Sequence, residues 1–165
     1  MDKKTMIWVA AAIAVVLVGF LIFKMTTGAP STNTNGNATT TPQVEAQEVS
    51  IGTGAEAAPG TKVSVLYIGK LTDETVFDSS AMHNNEPYTF ILGSTEAGSP
   101  IPGFQIGVNG MKEGGERVMA IPPELGYGAQ EVKNADGKVV IPANSTIIFN
   151  VKLVKVESAP AATAQ

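Results

Sequence analysis

Alternating apolar and polar residues mark the most regular part of the chain. Between residues 62 and 68, apolar side chains fall on every second position, the period of a strand with one buried face. Stretches rich in β-branched and aromatic residues predict three further strands and a short edge strand. The three strands cover 88–92, 116–121 and 146–156, and the edge strand covers 49–51. The middle of the chain is therefore predicted to form a sheet.

One segment departs from the two-residue period. Residues 103–111 follow Pro102 and place Phe104, Ile106 or Gly107, and Val108 or Met111 near one face of a helix, although the segment is short and rich in glycine. We predict a brief helix there. An antiparallel sheet with one short helix across it belongs to the α+β class. No repeat of about 20–50 residues occurs in the sequence, which excludes solenoids and propellers.

An uninterrupted apolar run occupies residues 6–23 and contains no charged side chain. It falls at the short end of what spans a hydrocarbon core of about 30 Å. We expect a transmembrane helix that acts as an anchor, since the run has no polar face. The alternative is a cleaved signal peptide, which usually has a shorter apolar core. Lys3 and Lys4 before the run, against Lys24 after it, predict that residues 1–5 are cytoplasmic and that the remainder is exported.

Polar segments flank the predicted sheet. Residues 24–47 are rich in Thr, Asn, Ser, Pro and Gly, and residues 158–165 are small or polar. Such segments bury too little apolar surface to offset the entropy lost on ordering. We predict a flexible linker at 24–47, a domain at 48–157 and a disordered tail at 158–165. As a flexible coil the linker has an end-to-end distance of roughly 25 Å, so it would tether the domain near the membrane without fixing its orientation.

Composition and charge narrow the possible functions. The chain contains no Cys, which excludes disulfides, thiolate metal sites and cysteine nucleophiles, and its net charge is −4. Because the sequence has no basic stripe for phosphate contacts, no nucleic-acid partner is expected. His83 is the only histidine and lies in the polar segment 81–86. We assign it no catalytic or metal-binding role, and no Gly-x-Ser-x-Gly turn accompanies it.

Four motifs follow one another within the predicted domain. They read PGTKVSVLYIG at 59–69 with VFDSS at 76–80, IPGF at 101–104 with GVNGMKEGGER at 107–117, IPPELGYG at 121–128 and IPANSTIIF at 141–149. In this order they resemble the signatures of the FKBP family of peptidyl-prolyl cis-trans isomerases. The resemblance covers about two-thirds of the chain. One motif alone would be weak, but four in the family's order are specific.

The resemblance implies a twisted antiparallel β-sheet wrapped around one short α-helix, with an aromatic-walled pocket between them. Carried over by motif position, the pocket and catalytic residues are Tyr67, Phe77, Asp78, Phe90, Ile101, Phe104, Tyr127 and Phe149. Tyr88 and either Val140 or Ile141 are expected near the rim. The implied activity is rotation about the peptide bond before proline in exported proteins, with no cofactor or metal. The implied partners are proline-containing polypeptides and macrolide inhibitors, and a monomer is expected.

The family also implies a role for each group. Apolar rings would surround the proline and disfavour the planar, dipolar amide more than the twisted one. The Ile101 N–H and the Tyr127 hydroxyl would hold the substrate backbone by hydrogen bonds. Asp78, beside Tyr67, would polarise the pocket near the twisting carbonyl. Taken singly, aromatic residues at strand spacing are usually core residues, so these roles depend on the motifs occurring together.

Two positions depart from the usual pattern. Phe104 stands where eukaryotic relatives commonly have Trp as the pocket floor, so we expect a slightly deeper pocket. Eukaryotic relatives often carry an Arg after the pocket aspartate, whereas Arg117 is the only Arg in this chain. The Asp78 carboxylate is therefore expected to be held less rigidly.

Two segments look longer than in a minimal domain of the family. They are residues 93–102 and residues 129–140, the latter with a turn at Asp136-Gly137. Both are expected to flank the pocket mouth and to influence substrate preference.

Two other functions are compatible with the sequence. The first is a non-catalytic FKBP-fold module that binds proline-containing segments or acts as a chaperone at the membrane surface. The departures at Phe104 and after Asp78 leave room for it. The second is an unrelated surface adhesion domain, which would need an exposed apolar patch away from the pocket. The nearly complete aromatic set favours the isomerase.

Overall fold

The computed structural model describes residues 41–158. The predicted anchor at 6–23 and nearly all of the predicted tail lie outside the described residues. Within residues 41–158, no helix is long and apolar enough to cross a membrane.

Eight strands, one α-helix and two short 3₁₀ turns make up the described part of the chain. The strands are β1 Glu45–Ser50, β2 Lys62–Leu71, β3 Val76–Ser79, β4 Tyr88–Ile91, β5 Glu116–Ile121, β6 Val132–Lys133, β7 Val139–Ile141 and β8 Ile147–Glu157. The helix α1 is Pro102–Val108, and the 3₁₀ turns are Ser80–His83 and Pro123–Leu125. The class is α+β, as the sequence predicts.

Six strands pair antiparallel in one sheet, and the other two form a separate hairpin. The order across the sheet is β1-β5-β8-β2-β3, and β6 pairs with β7. The long strand β2 pairs along its whole length with β8. Its opposite edge is shared, because β4 pairs with its first residues and β3 with its last. Because β3 and β4 pair with the same edge of β2, β3 and the 3₁₀ turn that follows it lie beside the middle of β2.

The four longest predicted strands are present as β2, β4, β5 and β8; β5 has the predicted bounds, and the ends of the others differ by at most three residues. Strand β1 differs more, because it begins at Glu45 and so takes in the last three residues of the predicted linker. Its residues pair with β5 from Glu45 opposite Ala120 to Ser50 opposite Glu116. Backbone pairing supplies the order that this polar stretch lacks by composition.

Helix α1 is shorter than the predicted 103–111. It begins at Pro102, whose missing N–H costs nothing in a first turn. It ends at Val108, because Asn109 is extended and Gly110 has a left-handed φ of 77°. Met111, predicted for the helix, lies beyond it and is nevertheless 2% exposed in the core.

The hydrophobic core lies between α1 and the sheet. Its fully buried members include Val63, Val65, Val108, Met119, Ile121, Ile147, Val151 and Leu153. Apart from Val108, which lies on α1, these residues alternate along β2, β5 and β8, so the face that the sequence pattern predicts to be buried is the face that meets the helix.

Arg117 joins the end of α1 to the edge of the sheet. Its Nη1 donates to the Gly107 carbonyl at 2.5 Å and to the Asn109 carbonyl at 3.1 Å. Its Nε donates to Glu48 Oε1 at 2.9 Å. The guanidinium therefore satisfies carbonyls that the helix leaves free at its C-terminus, and a cation is favourable there.

Candidate active site

A cavity of about 230 Å³ opens beside helix α1. It is larger than the roughly 150 Å³ apolar cavity that accommodates benzene, so a ring-sized apolar group fits. Its lining residues are Tyr67, Phe77, Asp78, Tyr88, Pro100, Ile101, Phe104, Tyr127 and Phe149. They come from strands β2, β3, β4 and β8, from α1 and the segment before it, and from the loop after the second 3₁₀ turn.

Seven of the eight residues predicted for the pocket line this cavity, and Phe90 does not. Phe90 is 7% exposed and packs behind the lining, with its ring centroid 5.9 Å from that of Phe104 and 5.4 Å from that of Tyr88. It shares a face of β4 with Tyr88 but lies farther along the strand. Phe90 therefore supports the aromatic wall instead of facing the open space.

Of the residues expected near the rim, Tyr88 lines the cavity, whereas neither Val140 nor Ile141 does. Ile141 is 2% exposed and belongs to the core, and Val140 packs against that core. The reason is the β6–β7 hairpin, which pairs Ile141 with Val132. The predicted turn at Asp136-Gly137 lies at its tip, where Gly137 has a φ of 78°. No residue of 129–140 lines the cavity.

Aromatic rings build the floor and walls. Phe104 on α1 is 3% exposed, and Phe149 on β8 is 5% exposed. Their centroids are 4.9 Å apart with the planes nearly perpendicular. Phe77 meets Phe149 edge to face at 5.7 Å, and Tyr67 meets Phe104 in the same way at 6.2 Å. Each edge-to-face contact contributes about 0.5–1.5 kcal/mol beyond the burial of the rings, so these contacts stabilise the arrangement of the cavity walls.

One carboxylate, that of Asp78, lines this aromatic cavity. Asp78 on β3 accepts a hydrogen bond from the Tyr67 hydroxyl at Oδ2, over 2.7 Å. Its Oδ1 accepts the Ser79 N–H over 2.8 Å. The predicted pairing of Asp78 with Tyr67 is thus present. The two strands bring these residues together because β3 runs antiparallel beside the end of β2.

The sequence places His83 in a polar segment and assigns it no role. The structure places it beside the site. Its Nε2 lies 2.8 Å from Asp78 Oδ1. The 3₁₀ turn Ser80–His83 returns residue 83 to the carboxylate five positions earlier in the chain. The Asp78 carboxylate thus has a histidine contact that the sequence does not predict, while its rigidity relative to relatives with an Arg stays a prediction.

The tyrosines of the pocket keep their protons. Burial raises the pKa of Tyr67, and the hydrogen bond to Asp78 raises it further. Burial also raises the pKa of Tyr127, with a smaller contribution from the charge of Asp78. For Tyr88 burial alone raises the pKa. All three hydroxyls are therefore donors at neutral pH.

Two donors at the mouth are free for a bound backbone. The Ile101 N–H and the Tyr127 hydroxyl make no hydrogen bond within residues 41–158. The Ile101 carbonyl accepts from the N–H groups of Phe104 and Gln105, which fixes its peptide at the start of α1. Tyr127 is 38% exposed and so reaches both the cavity and solvent.

The segment 93–100 forms one side of the mouth and is held by two side chains. Gln105 accepts from the Gly93 N–H at 2.7 Å and donates to the carbonyls of Ser94 and Pro100 at 2.9 and 3.0 Å. The Tyr88 hydroxyl donates to the Gly98 carbonyl at 2.8 Å. Pro100, which the sequence did not single out, thereby becomes a lining residue. The predicted position of this segment at the mouth is correct.

Metal ligation is not evident in this region. Among residues 41–158, no three His, Asp or Glu side chains are grouped so that they could hold a metal ion.

An antiparallel sheet around a short helix, with an aromatic cavity and two free backbone-binding donors, defines a binding domain for a compact apolar ring within a peptide. The sequence matches the family described as FKBP-type peptidyl-prolyl cis-trans isomerase over residues 54–154. The chain therefore belongs to the FKBP-type peptidyl-prolyl cis-trans isomerase family.

Relatives and solved structures agree with this assignment. The FK506-binding protein of Neisseria meningitidis serogroup C is 47% identical over 103 residues, which cover 62% of this chain and 86% of that protein. FK506-binding protein 3 of Candida albicans is 45% identical over 107 residues, 65% of this chain but 22% of that protein. The chain thus spans under half of several curated relatives.

Two crystal structures share the fold. AtFKBP13 aligns with a TM-score of 0.60 and 32% identity, over 69% of this chain and 93% of that one. FkpA from Escherichia coli aligns with a TM-score of 0.58 and 37% identity, over 71% of this chain and 49% of that one.

Proposed function

We propose that this protein catalyses the cis-trans isomerisation of Xaa-Pro peptide bonds. The observation that carries the proposal is the aromatic cavity, which the Asp78–Tyr67 pair also lines and which has two donors at its mouth, the Ile101 N–H and the Tyr127 hydroxyl. Family membership supports the same activity.

The reaction needs an environment and not a nucleophile. Rotation about the bond before proline takes tens of seconds uncatalysed, with an activation energy of about 20 kcal/mol. The planar amide carries a charge separation between oxygen and nitrogen that is lost on twisting. Transfer into a cavity walled by Phe77, Phe104 and Phe149 removes water that stabilises the dipolar planar form, so the barrier falls.

The polar groups orient the substrate. With the prolyl ring between the phenylalanines, the Ile101 N–H would donate to a substrate carbonyl at the mouth of the cavity. The Tyr127 hydroxyl would hold a second carbonyl, and the Asp78 carboxylate would act on the dipole of the rotating carbonyl. Fixing the chain on both sides of the bond restricts motion to the torsion that reacts.

The proposed cellular context rests on the residues before the domain. We propose that 6–23 anchors the chain in a membrane, that residues 1–5 are cytoplasmic, and that the domain acts on exported proline-containing polypeptides. The family relationship also supports macrolide inhibitors as ligands. After an alkaline wash of membranes from expressing cells, the chain should stay in the pellet. Its release into the supernatant would argue against an anchor.

The activity is tested on the full chain, kept soluble in a mild detergent, with a short Xaa-Pro peptide as substrate. The parent should accelerate isomerisation, and Asp78→Ala and Tyr127→Ala should each lower kcat/KM about tenfold, equivalent to about 1.4 kcal/mol. Thr72→Ala, at an exposed position of the β2–β3 turn, is the matched control and should match the parent.

A folded parent that binds the peptide without accelerating its isomerisation would contradict catalysis. That result would identify the chain as a proline-binding or chaperone module instead.

A further inference from the structure

The imidazole of His83 closes a chain of hydrogen bonds that begins inside the pocket. Tyr67 donates to Asp78 Oδ2, and His83 Nε2 lies 2.8 Å from the other oxygen, Oδ1. An ionised carboxylate only accepts hydrogen bonds, so Nε2 has to carry the hydrogen. The His83 side chain is 61% exposed and does not line the cavity. It therefore contacts the carboxylate from the solvent side.

The turn that presents His83 is itself fastened to the pocket. Ser80 Oγ accepts the backbone N–H of Tyr67 over 3.0 Å. The Ser80 carbonyl accepts the N–H groups of Asn84 and Asn85, which close the turn after His83. An exposed histidine on a mobile loop would lose much of its contact to side-chain entropy, and this turn restricts that freedom.

We propose that His83 is a positioning residue for the reaction. By binding Oδ1 it keeps the Asp78 carboxylate aimed at Tyr67 and at the rotating substrate carbonyl. Without the imidazole, Oδ1 would retain, among residues 41–158, only the N–H of the adjacent Ser79 as a donor. The carboxylate could then turn away from Tyr67 toward water. This role rests on the isomerase function proposed above.

Three full-chain variants test the role in the peptide assay. His83→Leu removes the donor and should lower kcat/KM about threefold, the size expected for a partly exposed charged contact. His83→Gln restores a side-chain N–H donor and should return kcat/KM to within about twofold of the parent. Met82→Ala, on the same 3₁₀ turn and 65% exposed, controls for disturbance of the turn and should leave the rate unchanged. A His83→Leu variant as fast as the parent, or a His83→Gln variant as slow as His83→Leu, would overturn the proposal.

A double variant shows whether His83 acts through Asp78. Adding His83→Leu to Asp78→Ala should slow the reaction no further, because the group being positioned is gone. Losses that multiply would contradict the proposal.

The contact between His83 and Asp78 can also be measured by NMR without reference to catalysis. His83 is the only histidine, so ¹⁵N labelling of histidine reports this imidazole alone. Asp78→Ala should shift its Nε2 signal, and an unmoved signal would refute the contact. A parent without isomerase activity would reject the proposed function, and this signal would then show separately whether His83 still orients Asp78.

Discussion

Replacing Gly69 with alanine is expected to close the pocket. Gly69 lies on β2, directly beneath two of the rings that wall the cavity. A Cβ atom there would lie 2.7 Å from Phe149 Cε1 and 2.7 Å from Phe77 Cζ. Carbon atoms pack at about 3.5–4.0 Å, so both rings have to move. Phe149 is buried and has little room, whereas the open space beside Phe77 is the cavity itself, so the larger shift is that of Phe77 into the cavity.

The expected result is a larger loss of activity than of stability. We expect kcat/KM on an Xaa-Pro peptide to fall at least about tenfold, because the substrate ring competes with Phe77 for the same space. The free energy of unfolding in urea should fall by about 1–2 kcal/mol, as for modest overpacking.

Two further variants make the prediction specific. Lys62→Ala, on an exposed position of the same strand, should change neither quantity appreciably. Adding Phe77→Leu to Gly69→Ala should recover part of the lost stability, because the smaller side chain relieves one of the two overlaps. Full activity in Gly69→Ala would show that the cavity does not receive the substrate.

Periodicity predicts the long strands because their pattern is repeated often enough to be read. Strands β2 and β8 have ten and eleven residues, and apolar and polar positions alternate over much of each. Strand β3 has four residues, and β6 has two, so neither carries a period. Both form where the chain folds back on a neighbour, which is a tertiary effect. The same cause explains β1, whose polar residues are ordered by pairing with β5.

The site divides in the same way. Asp78 and the rings of Tyr67, Phe77, Phe104, Tyr127 and Phe149 could be predicted because each falls inside a motif with a known place in the fold. His83 could not, since its contact depends on a 3₁₀ turn that brings residue 83 back to residue 78. Gly69 belongs to the first motif. A glycine in a motif indicates that another group approaches the backbone closely, but it does not identify the atoms that do so. Phe90 is predicted for the pocket but does not line it. Strand alternation predicts the face of the sheet on which a residue lies, but not whether its position along the strand reaches the cavity.

The substitution with the largest expected effect on stability is Gly52→Ala. Gly52 is buried between the end of β1 and the turn at residues 112–115. A Cβ atom would lie 2.3 Å from the carbonyl oxygens of Lys112 and Glu113 and 2.5 Å from the Gly115 nitrogen. These are backbone atoms, so no side-chain rotation relieves the overlap. The turn cannot retreat either, because Gly114 and Gly115 exchange hydrogen bonds with Leu153 of β8 over 2.8 and 3.0 Å.

We expect Gly52→Ala to lower the free energy of unfolding by about 3 kcal/mol or more, a large fraction of the 5–15 kcal/mol typical of a domain. Urea unfolding measures this loss, and Ile51→Ala, at the neighbouring residue that is 76% exposed, is the control and should change little. Because the overlap lies away from the cavity, kcat/KM per folded molecule should stay near that of the parent. Parental stability in Gly52→Ala would mean that β1 does not lie against this turn, whereas intact stability with lost activity would mean that this junction shapes the pocket.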